Sequence, residues 1–81
     1  MTKKLRHEEI AEKIKKNILN EVYKNGKLPN ERLLSEEFNV SRSTIKNAID
    51  ALVDTGLVFR KQRSGNYINL LFKHNYKDYE H

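Results

Sequence analysis

Residues 41–52, Ser-Arg-Ser-Thr-Ile-Lys-Asn-Ala-Ile-Asp-Ala-Leu, constrain this chain most, because they read as one helix with two unlike faces. Ile45, Ala48, Ile49 and Leu52 recur at i, i+3, i+4 and i+7. An apolar stripe of that period has to be buried. Ser43, Lys46, Asn47 and Asp50 repeat the spacing on another face, with Arg42 beside them at the helix start. That face carries several hydrogen-bond donors and few carboxylates. A helix anchored on one side and offering Arg, Lys, Asn and Ser on the other suits the major groove of DNA.

The flanking segments give this helix a setting. Residues 5–19 read as a first helix, with Ile10, Ile14 and Ile18 every fourth residue and Ala11 beside them. Asn20 is the expected stop, since Asn tolerates the left-handed conformation. Val22 and Tyr23 are expected to form a very short extended segment before the Asn25-Gly26 turn. Asn30 is a natural N-cap for a second helix, and Glu31 suits the positive end of its dipole. Leu33, Leu34 and Phe38 are the expected buried side of that helix. Asn39 and Val40 make the turn, and Ser41 caps the third helix, which Gly56 ends. Two short helices joined by a tight turn form a helix-turn-helix. Residues 57–61 and 66–70 then read as two strands around a turn at Gln62-Arg63-Ser64-Gly65. The expected fold is therefore mainly α with a small β-hairpin: a winged helix-turn-helix of three helices plus wing over residues 1–70. Residues 71–81 have no clear period and are expected to be a tail or the start of a linker.

Composition narrows the class. A chain of 81 residues supports one small domain that buries roughly 60% of its unfolded surface. There is no cysteine, which excludes disulfides and thiolate metal sites. No apolar run approaches the ~18 residues of a membrane span. The charged N-terminus lacks the apolar segment of a signal peptide, so a cytoplasmic protein is expected. Net charge is +5, and its distribution is uneven. Residues 41–65 hold Arg42, Lys46, Arg60, Lys61 and Arg63 against Asp50 and Asp54, whereas charges cancel over 71–81. A localised basic excess favours a polyanionic partner, although charge alone leaves a merely basic surface as an equal reading.

Residues 28–68 resemble the N-terminal DNA-binding domain of the GntR family of bacterial transcription regulators. The resemblance rests on Leu28-Pro29-Asn30-Glu31-Arg32, Leu34-Ser35, Val40-Ser41-Arg42-Ser43-Thr44-Ile45-Lys46, Ala48-Ile49, Leu52, Gly56-Leu57 and Gly65-Asn66-Tyr67-Ile68. There are departures. Asn25-Gly26 replaces the usual Pro-Gly, Lys46 stands where Arg is common, Arg63 replaces the first wing glycine, and Asn66 stands where Thr is usual. The resemblance implies a sequence-specific regulator, more often a repressor. It implies a recognition helix over 41–55 in the major groove and a wing over 61–67 at the minor groove. It further implies a homodimer on an inverted-repeat operator, with any small-molecule effector bound by a larger C-terminal domain beyond this sequence. A fragment of such a regulator is the preferred reading over a short stand-alone phage or plasmid regulator.

The expected DNA-binding residues are Arg32, Ser41, Arg42, Ser43, Thr44, Lys46, Asn47, Gln62, Arg63, Ser64 and Gly65. Arg42 is the strongest, because the N-terminal residues of a recognition helix reach base edges. Ser41 serves as cap and as phosphate site together. Thr44 is suited equally to phosphate contact or local capping, and Asn47 to adenine or to nothing. Lys46 holds a phosphate without Arg's bidentate fork. Arg32 reaches DNA by resemblance, or pairs with Glu36 four residues on. Gly65 serves the wing tip or only its turn. His7, His74 and His81 lack metal-ligand spacing, and no cofactor or catalytic constellation is evident. A winged helix used for protein contact is the rival reading; it calls for an apolar or acidic recognition face, which Arg42, Ser43, Lys46 and Asn47 do not supply.

Overall fold

The computed structural model describes residues 6–73 and contains three helices and one hairpin, in the order α1 Arg6–Leu19, α2 Glu31–Phe38, α3 Arg42–Thr55, β1 Val58–Lys61 and β2 Gly65–Ile68. The helix limits follow from their caps. Asn30 precedes α2 in extended conformation and its side chain accepts from Leu33 N at 2.8 Å. Ser41 does the same for α3, accepting from Thr44 N at 3.1 Å. Each cap satisfies a backbone donor that the helix leaves without a partner. Asn39 closes α2 in the left-handed region (φ 56°) and Gly56 closes α3 (φ 92°).

Helix α3 is the hub. It packs against α1, α2 and β1, and its stripe Ile45, Ala48, Ile49 and Leu52 is buried. Ile10, Ala11, Ile14 and Ile18 meet it from α1, Leu34 from α2, and Leu57, Val58 and Ile68 from the hairpin. The hairpin is antiparallel, with Val58 opposite Ile68, Phe59 opposite Tyr67, Arg60 opposite Asn66 and Lys61 opposite Gly65. Side chains alternate across the hairpin, so Val58 and Ile68 enter the core while Phe59 and Tyr67 stack on the other face, their ring centroids 5.8 Å apart.

Several local expectations need correction. Helix α1 ends at Leu19 with Asn20 as its stop, as expected, but Asn20 is not the left-handed residue. Glu21 takes that conformation instead (φ 59°), and the bonds Glu21 N to Ile18 O and Val22 N to Asn17 O close the turn after the helix. Lys73 holds Glu21 from across the fold, Nζ to Oε1 3.3 Å. Val22 and Tyr23 are not a strand. The extended pairing falls on Lys27, which bridges to Tyr67, flanked by Leu28 N to Asn66 O (2.9 Å) and Ile68 N to Gly26 O (2.8 Å). Leu33 is 46% exposed, because the buried line of α2 runs through Leu34 and Phe38 and adjacent helical residues point about 100° apart. The second strand is 65–68, not 66–70: Asn69 leaves it and caps a helical turn at 70–73, accepting from Phe72 N at 3.2 Å. Phe72 packs on the core. Leu5 and the segment 74–81, with His74 and His81, lie outside the described residues.

Candidate nucleic-acid interface

The start of α2, with Arg42 at the head of α3, faces the wing across an open cleft of about 760 Å³. Its helix-turn-helix wall comprises Asn30, Glu31, Arg32 and Arg42, and its wing wall runs from Arg60 to Asn66. Lys27, Leu28 and Pro29 complete it. The cleft therefore gathers Arg32, Arg42, Gln62, Arg63, Ser64 and Gly65 of the expected residues. It does not include Ser41, Ser43, Thr44, Lys46 or Asn47. Ser43, Lys46 and Asn47 are exposed further along α3, and Arg42, the first residue of α3, links the helix to the cleft.

Not every expected residue is free to bind a ligand. The Ser41 and Thr44 hydroxyls bond each other at 3.0 Å within the α3 cap. Ser64 is tied to the Tyr67 hydroxyl, a bond that draws the Tyr67 pKa below its ordinary value against the opposing effect of burial. Lys27 and Lys61 assist from over the Tyr67 ring, with Nζ 5.6 and 5.5 Å from its centroid. Arg32 pairs loosely with Glu36 at 3.7 Å. Both partners are well exposed, so the pair is worth about 0–1 kcal/mol and yields readily to a phosphate. Asp50, expected on the polar face of α3, is occupied by Arg60 at 2.7 Å. That pair braces the hairpin against α3 and removes Arg60 from the free charge of the cleft. Lys27, Arg32, Arg42, Lys61 and Arg63 remain against Glu31, so the cleft is strongly positive.

The wing tip holds a backbone departure. Arg63 has φ 64° and Gly65 φ 122°, both in the region that favours glycine. At Arg63 a side chain is carried there at a cost of roughly 1–2 kcal/mol. At Gly65 a Cβ would also come 3.1 Å from Lys27 Cε.

Lys27, Lys61 and Asn66 line the cleft without having been named as contacts from sequence, although Lys61 and Asn66 lie within the expected wing 61–67. Lys61 had a signal, since it ends the strand that leads into the wing tip. Lys27 had none, because its place depends on a bridge to Tyr67, forty positions away in the chain. Among the described residues no group of His, Asp or Glu could hold a metal ion, and no helix is long and apolar enough to cross a membrane.

Comparison with known proteins agrees with this architecture. Residues 6–68 match the family described as bacterial regulatory proteins, gntR family. The HTH-type transcriptional regulator GmuR of Bacillus subtilis (strain 168) is 44% identical over 64 residues, covering 78% of this chain and 27% of that protein. The arabinose metabolism transcriptional repressor of Halalkalibacterium halodurans is 44% identical over 59 residues, covering 72% and 16% respectively. The chain thus spans less than a third of the length of these curated relatives. Among solved structures, the AraR DNA-binding domain in complex with operator ORE1 superposes with a TM-score of 0.74 at 31% identity, covering 82% of each chain. A mostly helical domain with a two-stranded wing, matched over most of its length, belongs to the GntR family of bacterial regulatory proteins.

Proposed function

We propose that this chain is the DNA-binding domain of a transcription regulator, acting in the bacterial cytoplasm as a repressor. The observation that carries the reading is the continuity of the exposed Arg42-Ser43-Lys46-Asn47 face of α3 with the positive cleft between α2 and the wing. In this reading α3 enters the major groove, where Arg42 contacts a base edge and Ser43, Lys46 and Asn47 contact bases or phosphates. Arg32 and the N-terminus of α3 hold the backbone, and Gln62, Arg63 and Gly65 take the wing tip into the neighbouring minor groove. Ser41, Thr44 and Ser64 act through the caps and wing they brace. Backbone contacts set the register and base contacts the sequence.

Two such domains, held by a dimerising segment elsewhere in the whole protein, would read an inverted repeat. Joining them raises the effective concentration of the second contact, so one domain alone binds weakly. An effector would act on that other segment. No group in the cleft is assigned a catalytic role. Selection of duplexes from a random pool by a dimerised form of the domain, followed by affinity measurement across salt, tests the reading. A two-fold symmetric site is expected, with log K falling by about 0.9 per decade of salt for each phosphate neutralised. A salt-independent affinity, or a pool that stays random, would refute it.

A further inference from the structure

Asn66 stands apart from its neighbours on the wing. It is 9% exposed, the one polar residue within the buried set of the described residues. Its backbone carbonyl accepts from Leu28 N, but its carboxamide has no hydrogen-bond partner among the described residues. No fully buried side-chain polar atom among those residues lacks a partner, so the amide reaches solvent, and Asn66 lines the cleft through which it does so. Its cross-strand partner Arg60 makes the contrast plain: that side chain, from the same face of the hairpin, is fully engaged with Asp50. An amide in a largely buried side chain that has only solvent to bond can exchange that water for a ligand at little cost to the fold.

The surroundings specify the ligand. The start of α2 opens onto the same cleft, and an eight-residue helix presents unsatisfied N–H groups and a positive dipole end there. Lys27, Arg32, Arg42 and Arg63 rim the cleft. A neutral donor on the floor, a helix start on one wall and cations on the rim match a phosphate diester. We propose that the Asn66 carboxamide seats one backbone phosphate of the bound duplex between the start of α2 and the wing. The proposal rests on DNA binding by this domain. It assigns a contact to the position where this chain departs from the family's usual threonine, and it makes Asn66 a residue that sets grip and register without reading sequence.

The test uses the full chain and a duplex it has selected, in a series with one methylphosphonate replacing a charged phosphate at each position in turn. Asn66→Ala is expected to weaken binding roughly tenfold, a charged hydrogen bond's worth, equally on every base variant and without changing the salt slope. Asn66→Asp, the same shape without a donor and with added charge, should bind more weakly still. At one backbone position the methylphosphonate should weaken the unmodified chain and cost Asn66→Ala nothing further. Melting temperature separates this from a structural role: Asn66→Ala should melt no lower than the unmodified chain, since no internal bond is lost. Equal binding by Asn66→Ala, or a methylphosphonate penalty identical for both chains at every position, overturns the proposal. Failure of the unmodified chain to bind any duplex overturns the DNA reading itself.

Discussion

Helix α3 and the wing, both assigned to the duplex in the proposed function, are built differently. In α3 each local requirement is met inside the chain: Ser41 caps the start, Gly56 takes the left-handed position at the end, and the apolar stripe is buried against three other elements. The wing leaves requirements open. Arg63 occupies a conformation that suits glycine, and Asn66 is buried without an internal partner. A helix whose packing is complete can present a fixed set of side chains to base edges. A hairpin with a left-handed Arg63 and an amide that has only solvent to bond can still take up an anion. In the proposed function the difference separates a rigid reader from a clasp.

Substitutions should divide along that line. The largest effect belongs to the anchor of the reader. Ile49 is fully buried in α3, so Ile49→Ala should cost ~2–5 kcal/mol. That is a large part of the ~5–15 kcal/mol available to a folded domain, and denaturant unfolding would show it as a collapsed midpoint. Next comes Arg42→Ala, with an expected loss of ~1–3 kcal/mol in binding if a base contact is removed, read by titration of a selected duplex, with the unfolding midpoint unchanged. Ser41→Ala removes the α3 cap and should lower stability by ~1 kcal/mol, visible as a lower melting temperature. The wing should behave in the opposite sense. Arg63→Gly relieves the left-handed strain and should stabilise the free domain by up to roughly 1 kcal/mol. It should also weaken DNA binding and flatten the salt slope by about one unit. A destabilised Arg63→Gly would show that the strain inferred at the wing is absent.

The same division governs what could be read from the chain. Asn30, Ser41 and Gly56 were legible because a cap is decided by one side chain and its immediate neighbours, and the α3 stripe because its period is local. Glu21 was illegible: a left-handed glutamate is not a sequence preference, and the Lys73 that pairs with its side chain lies 52 positions away. Leu33 was misread because a run of adjacent apolar residues does not say which one faces inward. Asp50 fitted the polar face by spacing, and only the hairpin's return past α3 brings Arg60 to it. Of the residues lining the cleft, Arg42 was expected from its helix start, and Arg32 and the wing tip from the resemblance. Lys27 and Asn66 were not, because both depend on the Gly26–Leu28 segment lying along β2, a pairing between distant parts of the chain.

The central claim is that the start of α3 reads bases while the wing and cleft hold the backbone. Its most direct test is a binding profile over every single-base variant of a selected duplex, measured for the unmodified chain and for Arg42→Ala. The account predicts that Arg42→Ala abolishes discrimination at one base pair and preserves it elsewhere. A uniform loss across all variants, with discrimination intact at every position, would contradict it.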